Sequence, residues 1–195
     1  MVNQDDPRVL RTRQLIKEAF SILLQKKGFD AITIKDIAQK AAINRATFYA
    51  HYEDKYALLE EIIEQAFHKM FPKQVMYAQE FTDEICNQLI LMTYNYIVTF
   101  YNTCRMDSKS IATIVDEKIR NMLKQMIESI FLKGNTFRIE DNLNIKIISA
   151  MTCSAISGGA YSWFKAGEND RTDLLVDIVR PYVMNGLNIY INSDE

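Results

Sequence analysis

Apolar side chains recur every three or four residues along most of the chain, the spacing that places them on one face of an α-helix. Val9, Leu10 and Ile16 lead into Ala19, Phe20, Leu23 and Leu24, and the pattern stops at Lys26, Lys27 and Gly28. Cations in a last turn followed by glycine mark a helix end. The next run, TIKDIAQKAAI, is short. Thr33 with Asp36 three positions later forms a capping-box pattern, and Ile34, Ile37, Ala38 and Ala41 supply its one apolar face. Asn44 offers an N-cap for a second short helix through Tyr52, and Asp54 a third, for a helix from Lys55 to about Met70. Beyond Pro72 the helices lengthen. Residues 82–103 are apolar nearly all round, so that helix is expected to be buried on several sides. A clean stripe covers 109–133, stopped by Gly134. Another helix covers 142–166, stopped by Gly167, and a last one covers about 172–191, with Pro181 predicting a bend near Asp177. The expected fold is all-α with about nine helices. A three-helix unit over 8–68 carries the two short helices, and a larger helical domain spans 69–195.

Composition narrows the class. Six glycines and three prolines in 195 residues argue against a turn-rich β-sandwich. No apolar run is long enough to cross a membrane, and the polar start MVNQDDPR does not read as a signal peptide, so a cytoplasmic protein is expected. Cys86, Cys104 and Cys153 are odd in number, widely spaced and without a CxxC pair, which predicts reduced packing residues and no disulfide framework. The formal charge of −2 is unevenly spread: residues 1–55 hold ten Lys/Arg against seven Asp/Glu, the remainder thirteen against eighteen. A basic N-terminal quarter on an acidic body suits a polyanion at one end.

Two short helices joined by a three- or four-residue turn are the helix-turn-helix arrangement, whose second helix enters the major groove. The ring-rich stretch NRATFYAHYEDK tests this. On a helix, Phe48 and Tyr52 share a face and can pack inward on Ile37, Ala38 and Leu58, whereas Arg45, Ala46, Tyr49 and Ala50 point the other way. The outward face has one long cation, one phenol and two methyls. Small residues let the helix sink into a groove, an alanine methyl can meet a thymine methyl, Arg45 can span guanine O6/N7, and Tyr49 can donate to a phosphate. His51 borders the inner face and suits packing or a phosphate equally. Lys55 sits in the first turn of its helix, where a cation opposes the macrodipole, and a facing phosphate would explain it; Thr33 and Lys35 repeat that logic one helix earlier. The plain alternative is that all three rings are core and the cations solvated.

From Arg11 to Leu59 the chain resembles the DNA-binding domain of the TetR family of bacterial transcriptional regulators. The matching residues are Thr12-Arg13, Ala19, Gly28-Phe29, Thr33-Ile34, Asp36-Ile37-Ala38, Ala41, Ile43, Thr47-Phe48-Tyr49, His51-Tyr52, Lys55 and Ala57-Leu58-Leu59. The resemblance implies a homodimer that binds a double-stranded operator. By the resemblance, Arg45, Ala46, Thr47, Tyr49 and His51 stand where the family touches DNA, with Lys55 on a phosphate; Thr33 and Lys35, from the helix-start argument, and the cap residue Asn44 complete the expected DNA-contacting set. The turn departs from the family pattern, with Ala42 where glycine is usual, and a left-handed backbone there would cost about 1 kcal/mol relative to glycine.

The long helices supply the remaining candidates. Gly158 and Gly159 inside a helix each cost about 1 kcal/mol against alanine, which close helix–helix approach would offset. Gly158, Gly159, Trp163, Leu175, Ile178 and Val179 are therefore expected at a four-helix bundle across a twofold axis, in a segment that also resembles the C-terminal domain of one TetR subgroup. The plain alternative is a glycine kink. By the same resemblance a small-molecule effector would lie among Tyr94, Phe100, Tyr101, Met122 and Met126, although such residues also simply fill cores. Catalysis has no candidate: His51 and His68 are the sole histidines, and no metal-ligand cluster, nucleophile elbow or phosphate-binding glycine loop occurs, so neither metal nor cofactor is expected. The expected function is an effector-released repressor acting on a palindromic operator. A TetR-like co-regulator that has lost DNA binding, and a helical small-molecule carrier or enzyme, are the alternatives.

Overall fold

The computed structural model describes residues 6–103, 109–134, 142–168 and 171–190, so Cys104 lies outside the described residues. Nine helices and no strand occur among them: α1 (Pro7–Lys27), α2 (Ile34–Lys40), α3 (Arg45–Tyr49), α4 (Lys55–Lys69), α5 (Lys73–Met76), α6 (Asp83–Thr103), α7 (Lys109–Lys133), α8 (Asn142–Ala166) and α9 (Thr172–Leu187). The all-α expectation holds. Most ends fall where the sequence places a stop or a cap. Asp6 caps α1, and Gly28, at φ 71, ends it. Thr33 and Asp36 exchange both bonds of the capping box on α2, and Asn44 caps α3. Asp54 Oδ1 accepts from the Tyr56 and Ala57 amides at the start of α4. Gly167, at φ 77, follows α8, and α9 continues through Pro181 to Leu187.

Two differences stand out. The second short helix, α3, ends at Tyr49 and not Tyr52; the Ala50 amide bonds the Ala46 and Phe48 carbonyls, and the chain then turns. The single-turn α5 after Pro72 has no side-chain cap and is too short to leave a periodic signal.

The residues group into two compact units, one holding those through Ala66 with Phe100–Asp116, the other Phe67–Thr99 with those from Glu117 onward. In the first, Ile16, Phe20, Phe29, Ile32, Ile37, Phe48, Leu58, Leu59 and Ile63 are almost wholly buried. Phe20 and Phe29 meet edge to face at 6.0 Å, the arrangement aromatic pairs favour. In the second, Phe67 lies edge-on to both Phe71 (5.0 Å) and Tyr96 (5.5 Å), and Phe81 meets Phe131 at 5.1 Å. Cys86 and Cys153 are buried free thiols, raised to about 12 and about 11 chiefly by burial, which leaves them protonated and inert.

Helices α8 and α9 approach closely at one glycine. A Cβ built on Gly159 would stand 2.6 Å from Val179 Cγ2, so glycine here is required by close approach within the chain. Gly158, one position earlier, is exposed and a Cβ there would meet nothing within 4 Å.

Candidate nucleic-acid interface

The site is built on the turn between α2 and α3. The Ile43 amide bonds the Ala38 carbonyl (3.0 Å) and the Ala42 amide the Gln39 carbonyl (3.3 Å), the paired bonds of a Schellman motif. Its left-handed position is Ala42, at φ 55, the one non-glycine residue with positive φ among the described residues. The cost expected of alanine in this turn is therefore incurred. Ala42→Gly is expected to stabilise the protein by about 1 kcal/mol and raise its thermal midpoint by about 2–4 °C. A midpoint that falls would show that the turn does not impose that strain.

The cap residues hold the motif, and their polar groups are committed to it. Asn44 Oδ1 accepts from both the Thr47 amide (2.7 Å) and the Thr47 hydroxyl (2.9 Å). Asp36 Oδ2 accepts from the Thr33 amide (3.0 Å) and hydroxyl (2.8 Å), while Lys27 donates to Oδ1 at 3.1 Å. These bonds, the backbone one first, hold the Asp36 carboxyl at about 2. A carboxyl depressed on folding adds stability above its unfolded pKa and loses it as pH falls through the folded value. The α2 cap should thus loosen between about pH 4 and pH 2, and Asp36→Asn should remove that component of an acid titration followed by circular dichroism. An unchanged profile in this window would refute the linkage.

The two faces of the ring-rich stretch separate by burial. Phe48 is 0% and Tyr52 5% exposed, and their rings lie 5.8 Å apart, whereas Tyr49 is 57% exposed. Lys35, Arg45, Ala46 and Ala50 are also exposed. Thr33, Asn44 and Thr47 hold the helices, and the outward face of α3 reduces to Arg45, Ala46, Tyr49 and Ala50, with half-buried His51 at its edge. Burial first, and the Arg13 guanidinium second, hold the His51 imidazole below its ordinary range, so it is neutral near pH 7.

Lys55 is held differently from the sequence expectation. Its Nζ donates to the carbonyls of Phe29 (3.0 Å), Asp30 (3.3 Å) and Ile32 (2.9 Å) and stands 4.4 Å from the Phe29 ring centroid. A cation in the first turn of α4 is thus explained by the carbonyls of the α1–α2 loop. A phosphate contact would require it to release one of three bonds, so the dipole argument no longer points to DNA.

The effector candidates divide between the units: Tyr94, Met122 and Met126 fall in the second, Phe100 and Tyr101 in the first. Tyr94 and Phe100 are buried, and the other three are half-buried. Among the dimer candidates, Leu175 and Val179 are buried within the chain, and Gly159 faces Val179. Packing within the chain already covers the side chains of Leu175 and Val179. Trp163 is half-buried and donates from Nε1 to the Glu168 carbonyl at 2.7 Å. Gly158 and Ile178 are exposed. Sequence reasoning did not single out an exposed apolar stripe on α8. Leu143, Ile147 and Met151 are 60%, 50% and 63% exposed and fall in line on α8 with Ser154, Gly158 and Ser162. On α9, Ile178 and Tyr182 are 62% and 76% exposed. Between the two helices runs a groove of about 980 Å³ whose lining includes Ile147, Met151, Tyr182, Gly186 and Tyr190. The i, i+4, i+8 spacing of Leu143, Ile147 and Met151 was the available signal.

Comparison with known proteins places this geometry. Residues 15–62 match the family model described as bacterial regulatory proteins, tetR family. The chain is 45% identical over 64 residues to the HTH-type transcriptional regulator YxbF of Bacillus subtilis (strain 168), a match covering 32% of this chain and 17% of that one. It is 38% identical over 56 residues to the HTH-type dhaKLM operon transcriptional activator DhaS of Lactococcus lactis, covering 29% and 30%. These matches thus span less than a third of either relative's length. A solved structure of the dihydroxyacetone kinase operon activator DhaS superposes with a TM-score of 0.60 at 18% identity, covering 94% of this chain and 99% of that one. That of NalD, the secondary repressor of the MexAB-OprM multidrug efflux pump in Pseudomonas aeruginosa, gives 0.56 at 16%, covering 96% and 99%.

Proposed function

The chain belongs to the TetR family of bacterial regulatory proteins, and from that premise we propose that it is an effector-released repressor that binds a palindromic operator as a homodimer. Residues 8–68 are the DNA-reading domain and 69–195 the effector-binding and dimerisation domain. The observation that carries the reading is the two-faced α3: Phe48 seats the helix, while Arg45, Ala46 and Tyr49 stand exposed on a side whose small residues permit close approach. Arg45 reads a guanine, Ala46 meets a thymine methyl, and Tyr49 and Lys35 meet phosphates.

The exposed stripe of α8 and α9 supports the homodimer. A twofold axis through Gly158 would set two copies of α8 against each other, covering Leu143, Ile147 and Met151 with the partner's Ile178 and Tyr182 in an isologous interface. A pseudo-palindromic operator would take the two reading helices of such a dimer roughly 34–36 Å apart, one turn of DNA. Repression by occupancy needs no surface beyond the one that binds DNA. An apolar or flat effector near Tyr94, Met122 and Met126 would bind preferentially to a dimer of the wrong spacing and so lower operator affinity.

Mobility shift against fragments of the source genome, with unrelated DNA as competitor, tests the proposal. Retention of one fragment class, lost with rising salt, is expected. Binding that shows no sequence preference would end the DNA-reading assignment.

A further inference from the structure

The first unit contains a charged cluster that the reading surface does not use. Arg13 of α1 bonds the Glu61 carboxylate of α4, and its guanidinium lies 4.8 Å from the centroid of the Tyr52 ring. Lys17, one turn further along α1, donates to Glu61 Oε1 and to Gln65 Oε1, each at 3.0 Å, and Gln65 Nε2 donates back to Glu61 Oε1 at 3.0 Å. One carboxylate thus gathers two cations of α1 and an amide of its own helix. Its partners are 44 and 48 residues away in sequence. The cluster is about three-quarters covered: the side chains of Arg13, Lys17 and Glu61 are 26%, 15% and 22% exposed.

The Tyr52 ring is the connection to α3. It contacts both the Arg13 guanidinium and the Phe48 ring, which seats α3. The short α3 has few internal bonds of its own, so its direction depends on what its inner face rests on. We propose that Glu61 is a positioning residue for DNA reading: by fixing Arg13 over Tyr52 it sets the angle at which α3 presents Arg45 and Tyr49. Glu61 touches no DNA in this scheme and acts through Arg13 and Tyr52. The inference rests on the DNA-reading assignment above.

The opposite use of the same residues gives the competing outcome. If Arg13 and Lys17 served as phosphate ligands held back by Glu61, neutralising Glu61 would release them and tighten binding. Glu61→Gln separates the two, since it keeps the shape and removes the charge. Three quantities are measured on the full chain: affinity for the selected fragment and for unrelated DNA, the salt dependence of each, and amide hydrogen exchange over residues 44–52 without DNA. Positioning predicts about tenfold weaker binding to the selected fragment, the size of one hydrogen bond to a charged group. It also predicts unchanged binding to unrelated DNA, an unchanged salt slope because no phosphate contact is lost, and faster exchange over 44–52. Arg13→Lys keeps the charge but loses the planar face over Tyr52, and should show the same pattern with the melting curve little changed. It serves as the deciding variant if Glu61→Gln fails to fold. Tighter binding with a steeper salt slope, or exchange over 44–52 that does not change, overturns the proposal. If the unmutated protein has no sequence preference, the DNA-reading assignment falls first; the exchange measurement then still shows whether Glu61 orders α3.

Discussion

Arg45→Ala should weaken binding to the operator by about 2–6 kcal/mol per dimer, because a bidentate arginine–guanine pair contributes about 1–3 kcal/mol and the palindrome holds two. The loss should be confined to sequence. Against unrelated DNA the variant should differ little, and one position in each half-site should become tolerant of all four bases. Arg45 is suited to the role by its setting: it is the first residue of α3, it is exposed, and its neighbour Ala46 keeps the approach clear. Removing its side chain leaves the core untouched, since the inner face is held by Phe48 and Tyr52. The double variant with Tyr49→Phe adds a distinct effect. Loss of a phosphate hydrogen bond should weaken all sequences alike, leaving the salt slope nearly unchanged because a phenol releases no counterion. Fluorescence anisotropy with the selected fragment and with single-base variants of it measures both. Full operator affinity in the double variant would rule out α3 as the reading element, and retained regulation would then point to a protein partner.

Local signals in this chain were legible and distant ones were not. Thr33 with Asp36, Asn44, Asp54, Gly28 and Gly167 each mark a helix end through a bond to a residue a few positions away, and each does so in the structure. Ala42 was singled out through the resemblance, which has glycine at that place in the turn, and its backbone is left-handed. The carbonyl partners of Lys55 lie 23 to 26 residues back, beyond anything that periodicity records. Glu61 carries no local signal either, since its cation partners Arg13 and Lys17 lie 48 and 44 residues back. The apolar face of α9 was visible as Leu175, Ile178, Val179 and Val183. Periodicity shows that a stripe exists but not whether its neighbour belongs to the same chain. Gly159 illustrates the limit: close approach was the right reason for a glycine, and the approaching helix is α9 of its own chain. A helix with one face inward and another apolar face outward needs exposure to sort them, and exposure assigned Leu143, Ile147 and Met151 to the outside.

That sorting makes Met151→Glu the variant with the largest expected effect on assembly. Met151 is 63% exposed, so a carboxylate there is solvated in a lone chain, and glutamate is as good a helix former as methionine. Folding of the single chain should therefore change by about 0.5 kcal/mol or less. In an isologous dimer the substitution appears twice beside the axis, and each carboxylate would be buried among Ile147, Tyr182 and their symmetry mates without a cation. An uncompensated buried charge costs several kcal/mol, and two close to one another add repulsion. The dimer dissociation constant should rise by at least about a hundredfold. Sedimentation should then show a monomer at concentrations where the unmutated protein is a dimer, with the helical circular dichroism signal preserved. Operator binding should fall with it, because a single reading helix contacts one half-site and forfeits the second, now intermolecular, contact. Leu15→Glu, on the exposed side of α1 and 41% exposed, serves as the matched control and should leave the dimer intact. A Met151→Glu protein that remains dimeric at the same concentrations would show that the α8–α9 face does not join the two copies.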